Sequence, residues 1–196
     1  MNSKHPLHTN WLIWYHNPKD TSWDISSYKD IIEIGSLEEF IVLDNSWENC
    51  LPDISEGMFF MMRRLSSTEI IYPQWEDEHN RNGGYWSFRI PKEDAWKIWS
   101  GISSLLVGES LCKDASHMTC INGMSISPKK SYCILRIWNN DKSISDTSIF
   151  GNDIREFVNM GETIFTCNDN NIDKYNFKAQ KKTTRTDYRS GGRMRY

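Results

Sequence analysis

Several absences narrow the class of this chain before any motif is weighed. No apolar run approaches the length needed to cross a bilayer, so a helical membrane span is excluded. No Cys-x-x-Cys pair occurs. The five cysteines (50, 112, 120, 133, 167) are odd in number and widely spaced, which argues against a disulfide framework. Cys112, His117 and Cys120 come nearest to a metal cluster, but they lack paired spacing and a fourth ligand, so no metal site is expected. There is no glycine-rich phosphate loop of the nucleotide-hydrolysing type. No nucleophile–base pair nominates itself, and the only acidic cluster considered is the short run Glu76-Asp77-Glu78. Neither an enzyme nor a cofactor is expected, and no catalytic residue is assigned. Positive charge is also missing overall. The net charge of −3 argues against a protein that coats nucleic acid without selection. Residues 1–10 are polar, so no signal peptide is expected; free thiols in a cytoplasmic setting fit best.

What the chain has in excess is aromatic side chains: nine Trp, with eight each of Tyr and Phe. Such residues fill cores, and they also supply stacking platforms for bases. Most of the nine Trp are expected in the core and two or three facing a ligand. At 196 residues the chain suits one domain with a sizeable core. The expected division is a folded domain over 1–172 and a basic tail over 173–196. Eight Lys or Arg fall between Lys174 and Arg195.

Periodicity predicts strands at 10–16, 31–35, 58–64, 85–90, 118–126, 131–139 and 163–167. Ser36-Leu37-Glu38-Glu39 has the form of a capping box, opening a helix that buries Phe40, Leu43 and Trp47. The spacing of Trp96, Trp99, Ile102, Leu105 and Leu106 predicts a second helix over 92–108. A weaker amphipathic pattern predicts a third over 149–158. Strands outnumber helices and short turns join most neighbours. The fold class is therefore α+β, an antiparallel sheet with helices on one face.

One segment carries chemistry: Pro73-Gln74-Trp75-Glu76-Asp77-Glu78-His79-Asn80-Arg81-Asn82-Gly83-Gly84-Tyr85-Trp86. It sets a Trp directly before a carboxylate, outside any periodic apolar run. A flat ring beside a carboxylate suits a flat cationic ligand with N–H donors. A 7-methylguanine base is such a ligand: its charge strengthens stacking on indole, and one Glu can accept from N1–H and the N2 amine together.

The segment resembles the translation initiation factor 4E family of mRNA cap-binding proteins. Further landmarks follow in family order: Lys4-His5-Pro6-Leu7, Trp11-Leu12-Ile13-Trp14-Tyr15, Thr21-Ser22-Trp23, Leu105-Leu106-Val107-Gly108-Glu109 and Leu135-Arg136-Ile137-Trp138. They cover roughly residues 4 to 165. The resemblance implies a curved antiparallel sheet backed by three helices on its convex face, with the cap on the concave side. It implies that Trp23 and Trp75 sandwich the 7-methylguanosine base, that Glu76 bonds its edge, and that Trp138 meets the N7-methyl group. Trp11, Trp14, Trp86 and Trp99 read as core.

The phosphate contacts depart from the family pattern. Its Arg-x-Lys pair is replaced by Ser127-Pro128-Lys129-Lys130, so Lys129 and Lys130 are the candidates, with Lys178 a third. The tail interleaves Tyr175, Phe177 and Tyr188 with Lys178, Lys181, Lys182 and Arg185. That mixture suits either a nucleotide beyond the cap or a solvated tail with one packed aromatic. The partner surface departs too. His5 and Pro6 are present, but Ile41 stands where the family has a Trp, and Ser100 follows Trp99 where it has a Leu. A scaffold of the initiation factor 4G type would need altered anchors. Two functions therefore stand side by side: a cap-binding factor that promotes translation initiation, and a cap-binding repressor or decoy that recruits no usual scaffold.

Overall fold

The computed structural model describes residues 4–50 and 53–173. Seven strands form one curved sheet in the order β2-β1-β3-β5-β6-β4-β7. The strands are β1 (Pro6–His16), β2 (Tyr28–Ser36), β3 (Met58–Arg63), β4 (Gly84–Ile90), β5 (Ile121–Pro128), β6 (Cys133–Asn139) and β7 (Ile164–Cys167). Every pairing is antiparallel. Two longer helices, α1 (Leu37–Cys50) and α2 (Ala95–Val107), lie on one face, and a single helical turn occupies Ala115–Met118.

Side chains alternate across the sheet, so each strand serves both faces. Phe59 and Met61 of β3 join Trp11, Ile13, Trp86, Phe88 and the helices in the larger core. Phe60 and Met62, their immediate neighbours, join Leu12, Trp14, Tyr85 and Trp138 on the opposite face. Both faces of β3 are thus apolar, which explains its unbroken run of Met and Phe. The opposite, open face carries neither α1 nor α2; loops and the helical residues 168–173 border it, and Asn171 Nδ2 donates to the Tyr85 hydroxyl at 3.0 Å.

The capping box at α1 forms largely as expected. Ser36 Oγ accepts from the Glu39 N–H at 3.3 Å. The returning Glu39 carboxylate reaches Gly35 N at 2.9 Å, one residue earlier than the usual partner. Phe40, Leu43 and Trp47 point inward at three- and four-residue spacing. Trp47 then packs on Trp96 and Trp99 of α2, which ties the two helices together.

The expected helix over 149–158 is replaced by 3-10 turns at Thr147–Ile149 and Asp153–Glu156. Its backbone is engaged elsewhere. Gly151 N donates to Leu111 O and Lys113 N to Ile149 O, both at 2.9 Å, around a Cys112–Phe150 bridge. Carbonyls and amides used in that pairing cannot also close helical turns. The expected strand from 118 likewise begins only at Ile121, after the helical turn.

Candidate functional site

A cavity of about 370 Å³ opens on the open face. Five of the residues singled out from the sequence line it: Lys129, and the four assigned to the base, Trp23, Trp75, Glu76 and Trp138. Those four come from three separate places in the chain, and different devices hold each.

Trp23 stands in the loop between β1 and β2. Asx turns shape that loop: Lys19 N donates to Asn17 Oδ1, and Ser22 N to Asp20 Oδ1. The Trp23 indole lies parallel to the His16 ring, with centroids 4.4 Å apart. His16 is fully buried at the end of β1 and its Nε2 bonds Ser22 O at 2.9 Å. One indole face is therefore supported from the sheet, yet the residue remains 41% exposed.

Trp75 stands in the loop before β4. Gln74 Nε2 donates to Trp23 O at 2.7 Å, so the two tryptophan loops are joined directly. The acidic run beside Trp75 divides its labour. Asp77 accepts from Tyr72 N and His79 N and shapes the loop. Glu76 makes no hydrogen bond or ion pair among the described residues, so its carboxylate is open to a ligand. Its charge and, above all, burial push the Tyr28 phenol well above its ordinary value.

Asn80 is one of two residues here that sequence reasoning missed. It is fully buried. Its Nδ2 donates to Tyr72 O and Gln74 O, and its Oδ1 accepts from Asn122 Nδ2, all at 2.8 Å. Asn168 Nδ2 closes the network on Asn80 O at 2.7 Å. The loop that presents Trp75 and Glu76 is thus bolted to β5 and to the segment after β7. Gly83 follows from the same close approach: a Cβ there would lie 1.9 Å from Asn139 O.

Trp138 comes from the sheet itself. It is 2% exposed, packs on Tyr85 and Phe60, and donates from Nε1 to Ser125 Oγ at 2.9 Å. It is both a core residue and part of the cavity wall.

The expected phosphate cations separate. Lys129 lines the cavity; Lys130 is exposed and does not. Lys178, with the rest of the basic tail after Asp173, lies outside the described residues. One cation was not anticipated from the sequence. Arg136 also lines the cavity. The signal was present: it sits two residues before Trp138 in a strand, and a period of two puts both on one face.

The expected partner surface also changes in detail. His5 is exposed, but its Nδ1 lies 2.7 Å from Glu38 Oε1, so the ring is tied to α1. Hydrogen bonds from His5 hold the Glu38 carboxyl down at about 2. Pro6 is exposed, as is Ile41 at 48%, with Leu37 and Val42 beside it on α1. Trp99 is only 2% exposed and packs on Trp47, so it supports this surface from beneath and cannot offer its ring to a partner. Ser100 is half-buried, and the Phe157 ring leaves no room for a side chain at Gly101. Cys112, named in the rejected metal cluster, is buried, and desolvation pushes its thiol up to about 12. It is no thiolate at neutral pH.

The chain was compared with known proteins. A family model described as "Eukaryotic initiation factor 4E" matches residues 6–190. The chain is 28% identical over 171 residues to eukaryotic translation initiation factor 4E of Candida albicans, covering 82% of this chain and 77% of that protein. It is 31% identical over 144 residues to the protein of the same name from Eremothecium gossypii, covering 69% and 62%. Among solved structures, the fold is similar to Caenorhabditis elegans eIF4E-3 in complex with the 4E-binding protein Mextli and cap analog. The TM-score is 0.65 at 16% identity, over 86% of this chain and 95% of that one. It is also similar to Ascaris suum eIF4E-3 with m7G cap, with a TM-score of 0.59 at 21% identity, over 71% and 76%.

Proposed function

The chain belongs to the eukaryotic initiation factor 4E family, and from that premise we propose that its open-face cavity binds the 7-methylguanosine cap of messenger RNA and thereby promotes translation initiation. The observation that carries this reading is the convergence of Trp23, Trp75, Glu76 and Trp138 on one cavity from three separate segments. The methylated base lies between the two loop indoles. Stacking is worth roughly 1–3 kcal/mol per base. The cationic ring adds about 0.5–2 kcal/mol where water is excluded, and that increment is absent for unmethylated guanosine. Glu76, without a partner of its own, accepts from N1–H and the N2 amine. Trp138 forms the inner wall, where the N7-methyl group is met.

Residues 1–172 form the binding unit and 173–196 its basic adjunct. Lys178 belongs to the same proposal as a further phosphate cation. The protein acts as a binding factor in the cytoplasm and not as an enzyme. Among the described residues no helix is long and apolar enough to cross a membrane. A scaffold of the initiation factor 4G type docks on the surface around His5, Pro6, Ile41 and Ser100. Leu37, Ile41 and Val42 supply its apolar part. That exposed apolar strip favours a recruiting factor over a decoy without a scaffold.

The test is a titration of tryptophan fluorescence with 7-methylguanosine triphosphate and with GTP. Quenching by the methylated ligand at much lower concentration is expected, because Trp23 and Trp75 stack on it. Equal response to both ligands, or to neither, would overturn the proposal.

A further inference from the structure

The cavity wall contains a half-buried arginine that pairs with no anion among the described residues. Arg136 lies in β6 with Ser87 of β4 and Ser125 of β5 as its cross-strand neighbours. Its guanidinium carbon sits 4.7 Å from the centroid of the Tyr85 ring. Its Nε is buried and has no hydrogen-bond partner, and it forms no ion pair among the described residues. Ser127, which also lines the cavity, has a buried Oγ without a partner. Desolvation lowers the guanidinium from its ordinary value, and Tyr85 opposes it to a lesser extent.

A guanidinium Nε taken out of water and left without a partner is costly. A cation–π contact offsets part of that cost and no more. The one carboxylate lining the same cavity is Glu76, and it does not pair with Arg136. If the cavity holds a methylated base, as proposed above, the base is itself a cation. Glu76 is taken up by the base, so the charge of Arg136 is left without an anion of its own. The ligand supplies that anion as phosphate. Arg136 stands in the sheet two residues before Trp138, the wall that meets the base, so the phosphate nearest the nucleoside is the one it meets. Exposed Lys129, at the end of the β5–β6 hairpin, is left the outer ones.

We propose that Arg136 receives the phosphate attached to the nucleoside, and that it makes binding by this chain depend on that phosphate. The inference rests on the cap-binding reading, and the experiment separates the two. Affinities of wild type, Arg136→Met and Arg136→Lys are measured for 7-methylguanosine, its 5′-monophosphate and its 5′-diphosphate, with guanosine 5′-monophosphate as control. Thermal unfolding of each protein is recorded alongside. In wild type the first phosphate raises affinity by about 10- to 100-fold, the range of a charge-assisted hydrogen bond. In Arg136→Met that ratio collapses towards one, while the gain from the second phosphate persists. Arg136→Lys keeps part of the first step, having charge without the fork. Arg136→Met unfolds at the same or a higher temperature, because a guanidinium with a buried, unpartnered Nε has gone. An unchanged monophosphate-to-nucleoside ratio, or a lowered melting temperature with equal loss for all ligands, would assign Arg136 to the support of Tyr85 and overturn the inference alone. Equal wild-type affinity for methylated and unmethylated monophosphate would overturn the cap reading, and with it the inference.

Discussion

Two arginines, one on each face of the sheet, differ in almost everything: Arg63 is 6% exposed, whereas Arg136 is only half-buried on the cavity wall. Arg63, at the end of β3 on the helix side, is saturated. It bonds Ile121 O, Met118 O and Thr9 Oγ1, pairs with Glu109 at 2.9 Å, and lies over the Trp11 ring. Arg136, on the open face, has the Tyr85 ring and nothing else among the described residues. The first satisfies every requirement of a buried charge from within the chain and acts as a structural clamp. The second leaves its requirement open, and an open requirement inside a cavity is met by a ligand. Arg63 is closed chemistry; Arg136 is unfinished until something binds.

The comparison is broken most severely by Trp99→Ala. That ring is fully enclosed between the helices, so its loss should lower stability by roughly 3–5 kcal/mol in urea unfolding and leave cap affinity of the folded fraction intact. A variant that unfolds normally but loses cap affinity would reverse the assignment of faces. Arg63→Met comes next. It strands the Glu109 carboxylate and two backbone carbonyls, with an expected cost of about 3 kcal/mol. Glu109 is 22% exposed, which places the cost at the low end for such pairs. If Arg63→Met and Arg136→Met shift the melting temperature alike, the contrast between the two charges is wrong.

Effects on the open face should appear in binding and not in stability. Glu76→Gln replaces an ionised acceptor by an amide that presents its own N–H to the base, at a cost of about 1.5–3 kcal/mol in cap affinity. Wild-type affinity in Glu76→Gln would remove the base-reading role. Trp75→Ala and Trp23→Ala should each cost about 1–3 kcal/mol of binding. A calorimetric titration that finds either variant unchanged takes that indole out of the sandwich.

The smallest effect concerns the His5–Glu38 contact that ties the start of β1 to α1. The Glu38 carboxyl falls from an ordinary 4.5 to about 2, because His5 donates to it from both ring and backbone. A depressed carboxyl stabilises the fold above its ordinary value, and the contribution fades as pH drops from about 4.5 towards 2. Protection of the Leu37 amide, which donates to His5 O, should fade over that same window in hydrogen exchange. A Glu38 titration midpoint near 4.5 by NMR would show that the clamp is absent in solution.

Legibility in the sequence followed the range of the forces involved. The capping box at Ser36, the inward stripe of Phe40, Leu43 and Trp47, and the strands around Phe59 and Trp86 rest on local propensity and periodicity, and both can be read from neighbours in the chain. The pairing of a loop indole with a carboxylate at Trp75-Glu76 is equally local. The helix expected over 149–158 was not decided locally, since the 111–113 segment claims its backbone groups. Asn80 looked like an ordinary polar loop residue; only its contacts with Asn122 and Asn168 make it a bolt. Lys129 and Lys130 are indistinguishable as letters, and the hairpin turns one of them to the cavity.

The sequence by itself determined that this chain builds an antiparallel α+β domain and carries a Trp-Glu element suited to a flat, charged, donor-bearing base. Alternation, capping and side-chain chemistry act over a few residues, so they are written in order along the chain. The tertiary structure alone decided which charges are compensated. Arg63 and Arg136 are the same residue type in similar apolar strands, but their partners lie tens of positions away or do not exist within the described chain. Whether a buried charge is paired depends on what the fold brings within a few ångströms, and that proximity has no representation in sequence order.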